Sequence, residues 1–221
     1  MSSCLAGIPL LRDIPSKVLR EAADVCALRR FAKGETIFDE GEPASSIWIV
    51  KQGWVYLVAQ SPQGVRVTIF VLTPEEALCG ISAFGHRTYS AGAVAATDSQ
   101  LVKIPAAVFA DWLPHYPVFA RHVLLACCGR IRHTVETLRL AQAPVEHRLA
   151  HTLLRLREAF GNTIPLTHHE LACMAGTRWE TSIRTLSAMK RRGWIASSRA
   201  KITIVAPQPL EALVRADTAR G

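Results

Sequence analysis

Glu180 and Arg184 stand four residues apart in the stretch TRWETSIRTLSAM at 177–189, so a helix there places a carboxylate and a guanidinium on one face. A forked donor beside an acceptor reads a hydrogen-bonding pattern on a planar partner; it does not make or break bonds. Such a pair must be held on a rigid, exposed element, and the flanking residues supply one. Thr167 and Glu170 have the spacing of a capping box, which opens a first helix by satisfying its orphan amides. Leu171 and Met174 fall three apart on its apolar side, and Ala172 and Ala175 keep it slim. Gly176 sits where the chain must turn sharply. Thr177 and Glu180 repeat the capping-box spacing and open a second helix, with Ile183, Leu186 and Met189 at three-residue steps. Two short helices joined by a tight turn form a helix-turn-helix, which lays its second helix in the major groove of DNA. In that setting Arg184 gives a bidentate pair to guanine O6 and N7 while Glu180 accepts from cytosine N4, so a G·C pair is the expected anchor. Pure capping of the helix is the alternative role for Glu180.

Charge points the same way. The 221 residues carry 26 Lys+Arg against 18 Asp+Glu, a formal net of +8. Twelve of the basic and six of the acidic residues lie from Pro144 onward, so this third of the chain holds most of the excess. A basic module neutralises phosphates and releases their counterions. Lys190-Arg191-Arg192 also complements a helix C-terminus. Apolar residues make up 49%, enough for packed cores. No apolar run reaches the roughly 20 residues that span a bilayer. Six scattered cysteines (Cys4, Cys26, Cys79, Cys127, Cys128, Cys173) show no CxxC spacing, which predicts reduced thiols and a cytoplasmic location.

Between Phe31 and Ile104 the periodicity is strand-like. Ile47–Val50 and Trp54–Val58 flank Gly53 as a tight hairpin would, and Val65, Val67, Ile69 and Val71 alternate with Arg66, Thr68 and Phe70. Short strands between recurrent turns predict a sandwich or jelly roll, a fold that commonly encloses a small-molecule cavity. From Val118 to Ala141 the pattern is helical. Leu124, Cys128, Ile131, Val135 and Leu138 are spaced as a heptad seam, which favours pairing of two copies over a helix packed only on its own domain. Pro144 breaks that helix and starts the next. The expected fold class is α+β, with a β jelly-roll (double-stranded β-helix) sensor domain at 1–116, a dimerisation helix at 117–143 and a winged helix-turn-helix at 144–221.

This order of parts resembles the Crp–Fnr family of bacterial transcription regulators. The similarity rests on FAKGETIFDEGEPASSIWIVKQGWVYL at 31–57, Gly80, EHRLAHTLLRL at 146–156 and the helix-turn-helix, with Ala196 to Val205 resembling the family's closing wing. The resemblance implies a cyclic-nucleotide-binding-like sensor domain and a homodimer on palindromic double-stranded DNA, with an effector event that reorients the DNA-binding domains; RNA polymerase is a further partner. Glu180 and Arg184 match main base-reading positions of the family. Ile183 replaces Gly or Ser there and could meet a thymine methyl. Thr167, His168, Arg178, Trp179, Thr181, Ser182, Lys190 and Arg199 are assigned to the DNA backbone, with Trp179 departing from the family's Arg or small apolar residue.

The effector cassette departs further. Cyclic-nucleotide members hold the phosphate with Gly-Glu-x-Ala and a later Arg-Ser or Arg-Thr pair. Here the first reads Gly80-Ile81-Ser82-Ala83, without the carboxylate, and Tyr89-Ser90 occupies the second position, with Arg87-Thr88 two residues early. A cyclic nucleotide is therefore not the expected effector, although Gly80, Ile81, Ser82, Ala83, Arg87, Tyr89 and Ser90 mark the expected pocket. An iron–sulfur cluster needs clustered thiolates, which the chain lacks. Haem stays open, with Cys79, His86, His115 and His122 as conceivable ligands; each has an ordinary structural role as its alternative. No metal site is expected, since nothing completes His147 and His151. Within the family the chain resembles more nearly the Fnr-like, nitric-oxide-responsive branch that lacks an iron–sulfur cysteine cluster. No GxSxG, P-loop, HExxH or dinucleotide fingerprint is present, so no enzyme is expected. The competing function is a ligand-sensing β-roll whose C-terminal helices engage a protein partner.

Overall fold

The computed structural model describes residues 4–60, 66–78 and 88–218. Its elements run α1 (Ser16–Ala22), β1 (Ala27–Phe31), β2 (Thr36–Phe38), β3 (Ser46–Gln52), β4 (Val55–Gln60), β5 (Arg66–Leu72), β6 (Ala77–Leu78), β7 (Gly92–Ala95), β8 (Ser99–Pro105), α2 (Ala106–His115) and α3 (Pro117–Leu140). There follow α4 (Val145–Phe160), β9 (Thr163–Ile164), α5 (His168–Met174), α6 (Trp179–Arg191), β10 (Ile195–Ser198), β11 (Lys201–Ile204) and α7 (Pro207–Thr218). By contacts the chain divides into two units, 1–132 and 133–221, and α3 runs across the division.

The first unit is built on two four-stranded sheets, ordered β1-β8-β3-β6 and β2-β7-β4-β5. All pairings within them are antiparallel. β3 is buried on both faces from Ser46 to Val50, because each face of its sheet is covered. Trp48 and Val50 join Phe38, Leu57, Leu72, Tyr89 and Leu101 in one cluster. Ile47 and Ile49 join the second, which takes Phe109 and Trp112 from α2, Phe119 and Val123 from α3, and Leu5, Ile8, Leu11 and Ile14 from the N-terminal segment.

The hairpin expected around Gly53 is corrected. β3 pairs with β8 and β6, whereas β4 pairs with β5 and β7, so the turn carries the chain from one sheet to the other. Gly53 has φ +77°, and a Cβ there would collide with Ser99 Oγ and lie 2.6 Å from the carbonyl of Asp98. Composition could not separate this corner from a hairpin, since both need a glycine between two apolar strands.

Tyr89 is also corrected. Its ring stacks on Phe38 at 3.9 Å between centroids. Its hydroxyl donates to the Ser46 carbonyl at 3.0 Å and accepts from Trp48 Nε1 at 3.3 Å. Tyr89 is thus a bonded core residue and does not line an open pocket. Gly80, Ile81, Ser82, Ala83 and Arg87 lie outside the described residues, as do Cys79 and His86; Ser90 is exposed. Of the other conceivable haem ligands, His115 Nδ1 bonds the Asp111 carbonyl at 2.7 Å and His122 Nδ1 lies 3.0 Å from Asp13 Oδ2. Cys4, Cys26 and Cys127 pack against the apolar cluster. Burial, reinforced by the Cys4 thiol, pushes the Cys26 thiol up to about 11.

α3 follows the expected 118–141 span closely. Phe119 and Val123 anchor it to the first unit. Arg130 donates to the Ala77 carbonyl at 2.9 Å and lies over the Phe70 ring. Leu124, Cys128, Ile131, Val135 and Leu138 are exposed along the helix.

Replacing Gly53 with Ala is expected to lower stability by roughly 1–3 kcal/mol, the scale of a strained backbone position, with the obstructed Cβ adding to the loss. Urea unfolding checks this; an unchanged midpoint would show that the corner tolerates a side chain.

Candidate nucleic-acid interface

The second unit packs α4 against α5, α6 and α7. Leu149, Leu153 and Leu156 of α4 and Leu171, Leu186, Met189, Ile195, Ile202 and Leu210 around it are all buried. Pro144 is the N-cap residue of α4.

The first helix of the motif begins as its sequence dictates. Thr167 Oγ1 accepts from the Glu170 amide at 3.2 Å, and Glu170 Oε2 accepts from the Thr167 amide at 2.7 Å. Gly176 follows at φ +57°, the left-handed turn that a side chain resists. Its carbonyl accepts from Arg148 Nη1 at 2.7 Å, which fixes the turn to α4. Arg192, just past α6, pairs with Glu146 in the first turn of α4 at 2.6 Å. The second helix is thus held at its two ends against the same element.

The second capping box is absent. α6 begins one residue late, with Arg178 at the N-cap and no side-chain cap. Glu180 is therefore free of the capping role and stands exposed in the first turn, where a carboxylate suits the helix dipole.

The inner face also differs by one position. Ser182, Leu186 and Met189 are buried, whereas Ile183 is exposed. Steps of three residues drift against the 3.6-residue turn, so Ile183 rotates off the stripe that Leu186 and Met189 define. Ser182 is fully buried and is withdrawn from the DNA-backbone set. Its hydroxyl has no hydrogen-bond partner.

The exposed arc of α6 holds Trp179, Glu180, Ile183, Arg184, Ser187, Lys190 and Arg191. Ser187 was not singled out from sequence, and Arg191 only as part of the basic helix end; counting 3.6 residues per turn from Glu180 and Arg184 places both on the arc. Arg178 is exposed beside this arc and Thr181 half-buried. His168 turns its Nε2 inward, and burial, then the Lys190 ammonium, lowers its imidazole below the usual range. His169 is the exposed imidazole of that turn, and its ring meets Trp179 edge-on at 5.6 Å.

β10 and β11 pair in the expected hairpin, turning at Arg199 and Ala200 with Ala200 at φ +53°. β9 adds a third strand. Arg199 at the tip is exposed. Among the described residues no group of three or more His, Cys, Asp or Glu side chains could hold a metal ion, and no helix is long and apolar enough to cross a membrane.

A two-sheet roll, a long helix with an exposed apolar seam and a winged helix-turn-helix define a sensor joined to a DNA-reading head. The cyclic nucleotide-binding domain family matches residues 28–116 and the Crp-like helix-turn-helix domain family matches residues 147–213. The CRP-like cAMP-activated global transcriptional regulator of Mycobacterium tuberculosis is 30% identical over 176 residues, covering 75% of this chain and 78% of that protein. The cyclic AMP receptor protein of Thermus thermophilus is 28% identical over 191 residues, covering 86% and 88% respectively. The solved structure of FixK2 from Bradyrhizobium japonicum shares the fold, with a TM-score of 0.76 at 21% identity over 85% of this chain and 96% of that one. The chain belongs to the Crp–Fnr family of transcription regulators. Members of that family bind DNA as homodimers and are generally not enzymes.

Exchanging Ser182 for Ala is expected to be neutral or stabilising by up to about 1 kcal/mol, since it removes a buried hydroxyl that bonds nothing. Thermal unfolding reads the change; a loss above that size would reveal a partner for the hydroxyl.

Proposed function

We propose that this regulator binds a palindromic DNA site as a homodimer, with Arg184 and Glu180 reading one G·C pair in each half-site. The observation that carries the reading is the exposed arc of α6, which presents both side chains on a helix fixed at its two ends by Arg148 and Arg192. Thr167, Arg178, Thr181, Lys190 and Arg199 border the arc as phosphate contacts. The seam of α3 supplies the pairing surface: Leu138 is 68% exposed and Ile131 59%, an apolar line that a partner helix would cover. RNA polymerase is the downstream partner of such a regulator.

The sensor side is assigned to the branch of the family that lacks an iron–sulfur cysteine cluster and responds to nitric oxide. The related regulators from Mycobacterium and Thermus are named for cyclic AMP, and this chain does not fit that ligand. The position their family gives to a phosphate-binding arginine holds Tyr89, whose hydroxyl is committed to Ser46 and Trp48. The Gly80–Ala83 stretch carries no carboxylate.

Selection from a random duplex pool, first without ligand and then with haem plus nitric oxide or with cyclic AMP, tests the reading. A palindrome with one G·C anchor per half-site is the expected recovery; failure under every condition would sink it. Arg184→Ala is expected to remove at least about fivefold of specific affinity, the low end for a lost bidentate base contact, while folding is kept because the residue is exposed. If the C-terminal helices instead engage a protein, that change leaves DNA binding as it was. Ile131→Glu is expected to turn a dimer into a monomer in sedimentation, and an unchanged mass would exclude the α3 seam.

A further inference from the structure

The exposed arc of α6 carries two kinds of side chain in two adjacent rows. Glu180 and Arg184 form a charged row. Trp179 and Ile183, also four apart and therefore one helical turn apart, form an apolar row beside it. Trp179 is 40% exposed and Ile183 36%. An exposed tryptophan in line with an exposed isoleucine, on a surface otherwise made of charges and hydroxyls, is costly to leave in water. Trp179 is also held in place, because its ring rests against the edge of His169.

The major groove offers one apolar group to such a row, the 5-methyl of thymine. We infer that Trp179 and Ile183 read thymine methyls beside the G·C anchor, which moves Trp179 from backbone contact to base contact and gives the half-site a thymine requirement. The inference rests on α6 being the groove-reading helix. Four residues of helix rise about 6 Å, and successive base pairs of B-DNA lie about 3.4 Å apart. The two side chains therefore address methyls roughly two base pairs apart. Each methyl contact adds roughly fourfold in affinity, the value for burying one such carbon.

The test removes the methyl and nothing else. In the duplex recovered by selection, thymines are replaced singly by deoxyuridine, which keeps every Watson–Crick and major-groove hydrogen bond. Affinity is read by fluorescence anisotropy at fixed salt, using the full chain, Trp179→Ala and Ile183→Ala. The expected result is a roughly fourfold loss at one or two thymines flanking the G·C pair. That penalty should disappear at one thymine in Trp179→Ala and at the other in Ile183→Ala, with discrimination at the G·C pair intact in both. Circular dichroism confirms that each exposed-site variant is folded. The proposal is overturned if deoxyuridine is neutral throughout while G·C discrimination persists, or if its penalty survives unchanged in both variants. A chain that selects no duplex fails the DNA reading itself, and this inference falls with it.

Discussion

The angle between α5 and α6 decides what the reading helix can reach, and one hydrogen bond governs it. The Gly176 carbonyl would be an orphan at the end of α5, and Arg148 supplies it with a charged donor. A charge-assisted bond to a backbone carbonyl is directional, so it fixes the turn and does not merely fill space. The buried Ser182 completes the arrangement from the other side, because a larger residue at that point would lift α6 off its neighbours. With both in place the helix can present a full arc to solvent while Leu186 and Met189 hold its underside.

Features that depend on a few neighbouring residues were legible in the sequence. The Thr167–Glu170 capping box, the Gly176 turn and the hairpin of β10 and β11 each follow from side chains within four positions of one another. The span of α3 was equally plain, since apolar periodicity persists along its length. What escaped was settled at longer range or by fine phase. The pairing of β3 with β8 joins residues about fifty positions apart, and no local composition reveals it. The orientation of Tyr89 was hidden for the same reason: its partners Ser46 and Trp48 lie over forty residues away. Ser182 was misplaced on the outer face because three-residue steps from Ile183 approximate a helix only briefly, while Ile183 is exposed as a base-reading position requires.

The first unit shows how a two-sheet roll is braced from within. Tyr89 hydrogen-bonds Trp48 and Ser46 and stacks on Phe38, a neutral aromatic cluster in the core of the roll. Such a cluster stabilises the roll from within. Fold and ligand are separate matters: residues 28–116 match the cyclic nucleotide-binding domain family through the packing of their strands, to which this cluster adds.

Glu146 sits two residues past Pro144, and its ion pair with Arg192 joins the start of α4 to the far end of α6. The near end of α6 is joined to α4 through Arg148 and Gly176. The two attachments tie α4 to the reading helix at both ends of α6. A regulator made this way gains nothing by remodelling its reading surface when a signal arrives; it has only to aim it.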